Sequence, residues 1–232
     1  MGHKTHSQGQ RPDRSNASHG RAGDRSGSAV ARQYDFPLHF LSAFVRDPFT
    51  VGSVWPSSQR LARMIVDSCD IRPKATVVEI GPGTGAFTGR ILERVAGRGR
   101  FLAVEVNETY ANILHQRFPL CEVVHDSAEN LPRLLGGRKA DCIISGLAWG
   151  NMGMQLQNVL LRSVLDSLAP GGQFATFAYA HTGWFPTARR FRRCLEGCFD
   201  LVETTPIVWR NVPPAYVYRC SRAKTAPHLP TA

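Results

Sequence analysis

The sequence lacks several features that define other classes of protein. No apolar run approaches the roughly 20 residues needed to cross a bilayer, and no short repeat indicates a collagen-like or coiled-coil chain. The 43% content of hydrophobic residues also excludes a fully disordered chain. The 232 residues suffice for one substantial globular domain with appendages or for two small domains. A spanning helix is excluded, whereas attachment to a membrane surface is not.

Signals for disulfides, secretion and metal binding are also missing. The six cysteines form no Cys-x-x-Cys pair, and no signal peptide with an apolar core stands at the N-terminus. We therefore expect reduced cysteines in a cytoplasmic protein. Cys194 and Cys198 lie one helical turn apart, but no second pair of His or Cys accompanies them at ligand spacing. The sequence therefore predicts no metal site.

Acidic residues are few, and the basic excess is unevenly placed. The chain has 28 Lys and Arg against 18 Asp and Glu, a formal net charge of +10. Residues 1–33 hold six basic and two acidic residues, and residues 187–232 hold eight and three, so the middle is nearly neutral. Such an excess favours a polyanion, either nucleic acid or an anionic lipid surface. For residues 1–33, a solvated tail is the simpler explanation.

The composition divides the chain into four segments. Residues 1–33 have scarcely an apolar side chain, so we expect a disordered basic tail. Residues 34–56 are predicted to form an amphipathic helix, over 34–46, and a linker. The aromatic face of that helix either packs on the domain or enters a membrane interface. A catalytic domain is expected over 57–220, and a flexible tail over 221–232.

The domain segment alternates short apolar strands with helices. Seven strands are predicted, and this pattern is typical of a doubly wound α/β fold with a mainly parallel sheet covered on both faces. Only the stretch from Trp209 to Pro214 links the last two strands. Because it is too short for a parallel crossover, we expect a terminal antiparallel hairpin.

The strongest chemical signal is the turn from Gly81 to Gly85, which joins a predicted strand to a helix. Its glycines let the backbone approach a ligand at the carboxyl edge of an open sheet. Glu105 ends the next strand, where it is placed to accept both ribose hydroxyls of an adenosine, and Asp126 can accept from the adenine amino group. Glu79 disfavours a pyrophosphate beside the turn and favours a ligand that carries sulfonium and ammonium groups.

These residues resemble the motifs of the class I S-adenosylmethionine-dependent methyltransferases, and the resemblance extends from Ser57 to Cys220. It implies a Rossmann-like seven-stranded fold and S-adenosyl-L-methionine as the cofactor. The candidate cofactor-binding residues are Glu79, Gly81, Gly83, Gly85, Glu105, Asp126, Ser127, Ala128 and Ser145.

Three further stretches, residues 51–62, 168–179 and 208–216, are similar to the bacterial phospholipid N-methyltransferases. This resemblance implies an enzyme that methylates the amine of a membrane aminolipid, such as phosphatidylethanolamine or an ornithine-type lipid. It also implies a peripheral protein on the cytoplasmic leaflet of the cell membrane, where the N-terminal amphipathic helix contacts an anionic surface. No metal and no obligate protein partner are expected.

The ribosomal RNA adenine dimethylases are similar by pattern as well. They carry Asn-Leu-Pro-Tyr or a close variant after the fourth strand, where the amide and the proline carbonyl receive the target amino group. This chain has the stretch from Ser145 to Trp149, without the amide or the proline, so nucleic acid is the less expected acceptor. An RNA adenine or small-molecule N-methyltransferase on the same fold remains the alternative, as does a cofactor-binding module without transfer activity.

The acceptor requires its own residues. A lipid amine is mostly protonated at neutral pH, so a group must take its proton, and Tyr179 and His181 are the candidate catalytic residues. Trp149 either stacks on a base, forms a cation–π wall or packs in the core. Arg189, Arg190 and Arg210 either bind a lipid headgroup or form a solvated basic surface.

Overall fold

The computed structural model describes residues 1–2 and 58–229. The predicted tail over 1–33 and the predicted amphipathic helix and linker over 34–56 lie outside the described residues, apart from the first two positions. Residues 58–229 belong to one compact unit.

A seven-stranded sheet organises the domain. The strands are β1 (Thr76–Ile80), β2 (Arg100–Glu105), β3 (Glu122–His125), β4 (Ala140–Ser145), β5 (Leu168–Tyr179), β6 (Phe199–Thr204) and β7 (Ala215–Ala223). Their order is β3-β2-β1-β4-β5-β7-β6. The first five strands are parallel, whereas β7 is antiparallel to both β5 and β6. The predicted fold class, with its terminal antiparallel hairpin, is confirmed.

Helices cover both faces of the sheet. The α-helices of the described residues are α1 (Gln59–Asp67), α2 (Thr88–Val95), α3 (Glu108–Arg117), α4 (Leu131–Leu134), α5 (Met154–Ser167) and α6 (Pro186–Cys198). Short 3-10 helices follow β3, β4 and β5. None of the helices within residues 58–229 is both long and apolar enough to cross a membrane.

Two apolar cores lie on opposite faces of the sheet because successive strand residues point to opposite sides. Val77 packs in one core with residues of α1, α2 and α3, and its neighbour Val78 packs in the other with residues of α5 and α6. Since both faces are covered, the central strands are apolar on both sides. This explains why their sequences read as continuous rather than alternating apolar runs.

The predicted flexible tail over 221–232 begins inside a strand. Strand β7 continues to Ala223, which pairs with Phe199. Beyond the strand, the Lys224 N–H donates to the Cys198 carbonyl (2.9 Å), and Leu229 packs against the core. The polar residues after Cys220 remain in the strand because β6 needs a backbone partner along its full length.

Candidate active site

The parallel strands bring the predicted cofactor residues to one edge of the sheet. All nine lie at or just after the carboxyl ends of β1, β2, β3 and β4, and we call this region the cofactor edge after its predicted ligand. Backbone hydrogen bonds join these strand ends: Asp126 N–H donates to the Glu105 carbonyl (3.1 Å), and Gly146 N–H donates to the Ile80 carbonyl (2.9 Å). The predicted residues thus share a single connected surface.

Glu105 is held rigidly at the centre of the cofactor edge. Its carboxylate accepts hydrogen bonds from the backbone N–H groups of Gly83 and Asn107, both at 2.9 Å. Burial raises the pKa of Glu105, and the N–H groups of Asn107 and Gly83 oppose that shift. Each carboxylate oxygen keeps a lone pair for a further donor. The geometry therefore suits acceptance of two vicinal hydroxyls, as predicted for the ribose.

The glycine turn contains one position that packs and one that is open. Gly85 has a φ of +88°, and a Cβ there would lie 2.4 Å from the ring of Phe118, so side-chain packing requires glycine. Gly83 has a φ of +56°, but a Cβ there would meet nothing within 4 Å. Open space beside a left-handed glycine, next to Glu105, is a place where a ligand can approach the backbone.

Glu79 is completely buried and only half satisfied. One carboxylate oxygen accepts the hydroxyl of Thr88 (2.7 Å), whereas the other, Oε1, has no hydrogen-bond partner among the described residues. Burial raises the pKa of Glu79 to about 8. An orphaned buried carboxylate oxygen is costly unless a donor or cation reaches it. The residues present therefore fit a ligand with an ammonium and a sulfonium group.

Asp126 is ionised and fixed by three donors. One oxygen accepts from Ser127 N–H (2.7 Å) and from the Asn130 side-chain amide (2.8 Å), and the other accepts from Arg133 (2.6 Å). Burial raises the pKa of Asp126, but the hydrogen bonds from Asn130, Ser127 and Arg133 outweigh it and lower the pKa. The oxygen that faces Arg133 retains a lone pair, which can accept from an adenine amino group.

Trp149 lies in the apolar core, a few residues after the end of β4. Its side chain is 1% exposed, its indole stacks on Phe191 with ring centres 4.8 Å apart, and its N–H donates to the Ser145 hydroxyl (2.9 Å). This placement agrees with the core alternative. Contact of Trp149 with an acceptor, and of Ser145 with the cofactor, stay predictions.

Gln157 is a buried polar residue that the sequence reasoning missed. Its amide donates to the Trp149 carbonyl (2.6 Å) and accepts from the Arg190 guanidinium (3.2 Å). Arg190 thereby links α6 to α5, and its buried Nε has no partner among the described residues. The sequence does contain a signal for its burial, because Gln157 occupies the same helix face as the buried Leu160 and Leu161. The predicted headgroup role of Arg190 stays a prediction.

The predicted catalytic residues lie at the carboxyl end of β5. Tyr179 and His181 stack with ring centres 5.8 Å apart; His181 is exposed, and Tyr179 is half-buried. Burial raises the pKa of Tyr179. A small pocket opens here, with Asn151, Phe177, Tyr179 and Tyr218 in its wall. We call this region, from the end of β5 to the start of α6 together with the β6–β7 loop, the acceptor edge.

The two remaining predicted arginines are exposed at the acceptor edge. Arg189 lies in the first turns of α6, and Arg210 lies in the β6–β7 loop. Their placement brings them to the same edge as His181, as the predicted headgroup role requires. The solvated alternative stays open for both.

Metal-binding clusters are not found in the described part of the chain. No group of three or more His, Cys, Asp or Glu side chains there is arranged to hold a metal ion. All six cysteines are buried free thiols, including Cys194 and Cys198.

Comparison with known sequences gives a long match to one relative and short matches to several others. A family model described as a methyltransferase domain matches residues 77–172. The ornithine lipid N-methyltransferase of Singulisphaera acidiphila is 33% identical over 196 residues, which cover 82% of this chain and 97% of that protein. The ribosomal RNA small subunit methyltransferase A of Synechococcus elongatus is 39% identical over 71 residues, only 31% of this chain and 24% of that protein.

Solved methyltransferase structures share the fold. TrmN from Thermus thermophilus superposes with a TM-score of 0.58 at 19% identity, over 78% of this chain and 53% of that one. Precorrin-6y C5,15-methyltransferase from Geobacter metallireducens gives a TM-score of 0.57 at 18% identity, over 76% and 95%. At these identities the likeness concerns the fold alone.

Proposed function

Because the chain belongs to the class I S-adenosylmethionine-dependent methyltransferases, we propose that it methylates the amine of a membrane aminolipid, such as phosphatidylethanolamine or an ornithine-type lipid. The protein is an S-adenosylmethionine-dependent N-methyltransferase, so the proposal concerns its acceptor. The observation that carries it is the likeness to the ornithine lipid N-methyltransferase, which extends over nearly all of that relative. The ribosomal RNA methyltransferase matches over less than a third of this chain.

The end of β4 supports an acceptor other than a nucleobase. With Trp149 in the aromatic position of that motif, Gly146 and Ala148 stand where an adenine methyltransferase would need an amide and a proline. The indole of Trp149 is stacked on Phe191 and is 1% exposed, so it does not offer a free face to a base. An aliphatic amine needs neither an amide clamp nor a stacking platform.

The cofactor edge supplies complementary groups for S-adenosylmethionine. We assign the ribose hydroxyls to Glu105, the adenine amino group to Asp126, and the positive charge of the ligand to Glu79. Their burial and hydrogen bonds hold these acceptors in place before the ligand arrives. The cofactor supplies an activated methyl group when it is bound.

At the acceptor edge, we assign proton acceptance to His181. In-line transfer requires a neutral amine nitrogen about 3–3.5 Å from the methyl carbon, so a protonated lipid amine must first lose a proton. The raised pKa of Tyr179 keeps its phenol protonated at neutral pH, which leaves it unable to act as the base. His181 stands exposed beside that phenol, where it can pass the proton to solvent.

The test is to identify the methylated product. The gene is expressed in a host that lacks methylated lipids, and its lipid extract is compared by mass spectrometry with that of the Glu105→Ala variant. We expect aminolipids heavier by one or more methylene units only with the unmodified protein. Purified protein is then given labelled S-adenosylmethionine with either extracted lipid or RNA. Label in RNA without label in lipid would overturn the proposal and favour the RNA alternative.

A further inference from the structure

Two loops at the acceptor edge expose hydrophobic side chains to an unusual degree. Of the eight large hydrophobic residues that are exposed in the described part of the chain, five lie within residues 184–185 and 207–212. They are Trp184 (77% exposed), Phe185 (48%), Ile207 (37%), Trp209 (72%) and Val212 (62%). We call these five residues the aromatic rim.

The two loops leave the sheet at one point. Tyr179, the last residue of β5, pairs with Ala215, the first residue of β7. The next residue, Ala180, donates its N–H to the Pro214 carbonyl (2.8 Å), which ties the loop after β5 to the β6–β7 loop. Both loops of the aromatic rim therefore lie next to the end of β5, where Tyr179 lines the pocket.

The β6–β7 loop inverts the usual distribution of polar and apolar side chains. Asn211 is 3% exposed, donates to the Pro213 carbonyl (2.7 Å) and accepts from the Ser58 N–H (2.8 Å). Its neighbours Trp209 and Val212 point outward instead. Because a buried polar residue anchors this loop, the fold itself does not depend on the exposed apolar residues. Their exposure is typical of a surface that binds an external apolar partner.

The charge of the two loops narrows the choice of partner. Residues 180–189 and 205–214 contain Arg189 and Arg210 but no Asp or Glu. Tryptophan together with arginine is typical of protein surfaces at the membrane–water interface, where the ring lies among headgroups and the guanidinium meets phosphate. Single-stranded nucleic acid also attracts aromatic and basic residues, but it offers nothing to the aliphatic Ile207 and Val212.

We propose that the aromatic rim is a membrane-docking surface, which inserts into the headgroup layer of an anionic bilayer and places the pocket beside Tyr179 against the lipid headgroups. The inference rests on the proposed function, because an enzyme that methylates a lipid must reach its acceptor while that lipid stays in the bilayer. The bilayer is the binding partner of this surface, and Arg189 and Arg210 flank the inserted side chains.

The first test is vesicle binding by the full-length protein. We compare unmodified protein with a Trp184→Ala/Trp209→Ala double variant in co-sedimentation with vesicles of phosphatidylethanolamine and phosphatidylglycerol. Since two large interfacial side chains are lost, we expect binding weaker by about tenfold or more. Leu120→Ala is the matched control, because Leu120 is 94% exposed but precedes β3 at the opposite edge of the sheet. Equal binding by all three proteins would overturn the proposal.

The second test separates docking from the choice of acceptor. The double variant should methylate aminolipid dispersed in detergent micelles at the unmodified rate, and its rate on vesicles should fall in parallel with vesicle binding. Unmodified rates on both would refute the docking surface and leave the proposed function standing. Failure of the unmodified protein to methylate either form of lipid would refute the proposed function. Loss of RNA binding by the double variant, with intact vesicle binding, would assign the aromatic rim to nucleic acid instead.

Discussion

The cofactor edge and the acceptor edge are built on the same sheet but by opposite means. At the cofactor edge, carboxylates are buried and are held by backbone N–H groups, as Glu105 is held by Gly83 and Asn107. At the acceptor edge, arginines and aromatic side chains are exposed, as Arg210 and Trp209 are, and few contacts hold them. The first arrangement suits one small cation of fixed shape. The second arrangement suits a broad lipid surface that is made of different molecules.

The difference also separates the energetic roles of the two edges. A buried, partly unpaired acid such as Glu79 destabilises the empty protein and stabilises the complex with a cation. Exposed residues of the acceptor edge contribute little to folding. Substitutions at the cofactor edge should therefore alter stability and cofactor affinity, and substitutions at the acceptor edge should alter turnover and membrane binding.

The largest expected effect concerns Glu79 and pH. Because burial raises its pKa to about 8 in the folded protein, against an ordinary value of 4.5, the folded state holds the proton more tightly than the unfolded state. The stability that this provides is complete below about pH 4.5 and is lost as the pH rises through about 8. As the pH rises from about 4.5 to above 8, the free energy of unfolding of the unmodified protein should fall by up to about 5 kcal/mol relative to that of Glu79→Gln. Denaturant unfolding without cofactor measures this difference.

The Glu79→Gln variant isolates this effect, since other titrating groups are common to both proteins. Parallel stability profiles from pH 5 to pH 9 would show that Glu79 is not buried as the structure has it. Saturating S-adenosylmethionine should reduce the decline at high pH, because its positive charge favours the ionised carboxylate.

The next effect concerns Glu105. Its replacement by alanine removes two acceptors for ribose and releases the Gly83 N–H, so we expect cofactor affinity to fall about 100-fold, or about 3 kcal/mol. Calorimetric titration measures the change. Glu122→Ala is the control, because Glu122 pairs with Arg100 at the amino end of β2, whereas Glu105 lies at the carboxyl end of that strand. Equal affinity losses for both variants would contradict a specific role for Glu105.

A smaller effect is expected at His181. Replacement by alanine should lower the turnover number on aminolipid about 10- to 100-fold, because water reaches this exposed site and partly replaces the base. Cofactor affinity should be unchanged. The deficit should shrink at high pH, where more of the lipid amine is already neutral. His115→Ala, at an exposed position of α3, serves as the control. A deficit that does not change with pH would argue against proton acceptance by His181.

The smallest effect is electrostatic. Each of Arg189→Gln and Arg210→Gln should weaken binding to anionic vesicles by about 1 kcal/mol at low salt, and the loss should fade as salt screens the surface. Co-sedimentation over a salt series measures it, with the exposed Arg94→Gln on α2 as control. If Arg94→Gln weakens binding as much, the attraction is diffuse and the acceptor edge has no special part in it.

Most of the fold could be predicted from the sequence because the buried strands are continuous apolar runs. The predicted domain ends at Cys220, whereas the last strand continues to Ala223, and the fifth strand begins at Leu168, ahead of two glycines. These extensions contain polar or glycine residues that pair only because a neighbouring strand is present. Single-strand patterns do not contain that information.

The candidate site divides in a similar way. Glu79, Glu105 and Asp126 could be placed because each stands at or near a strand end, and topology brings strand ends together. Thr88 and Gln157 could not be assigned roles, since their bonds to Glu79 and Trp149 depend on how helices approach the sheet. The burial of Trp149 also depends on tertiary contacts, here with Phe191 of α6.

The hydrogen bond between Ser58 and Asn211 has a consequence for how tightly the protein can hold a membrane. It joins the start of the described domain to the loop that carries Trp209, so Ser58 lies next to that loop of the aromatic rim. If the predicted helix over 34–46 binds the same bilayer, the two attachments are linked by only a short stretch of chain. The second attachment then proceeds at an effective concentration in the millimolar range. The resulting avidity would exceed either affinity alone, and a long flexible insertion between residues 46 and 58 would weaken it.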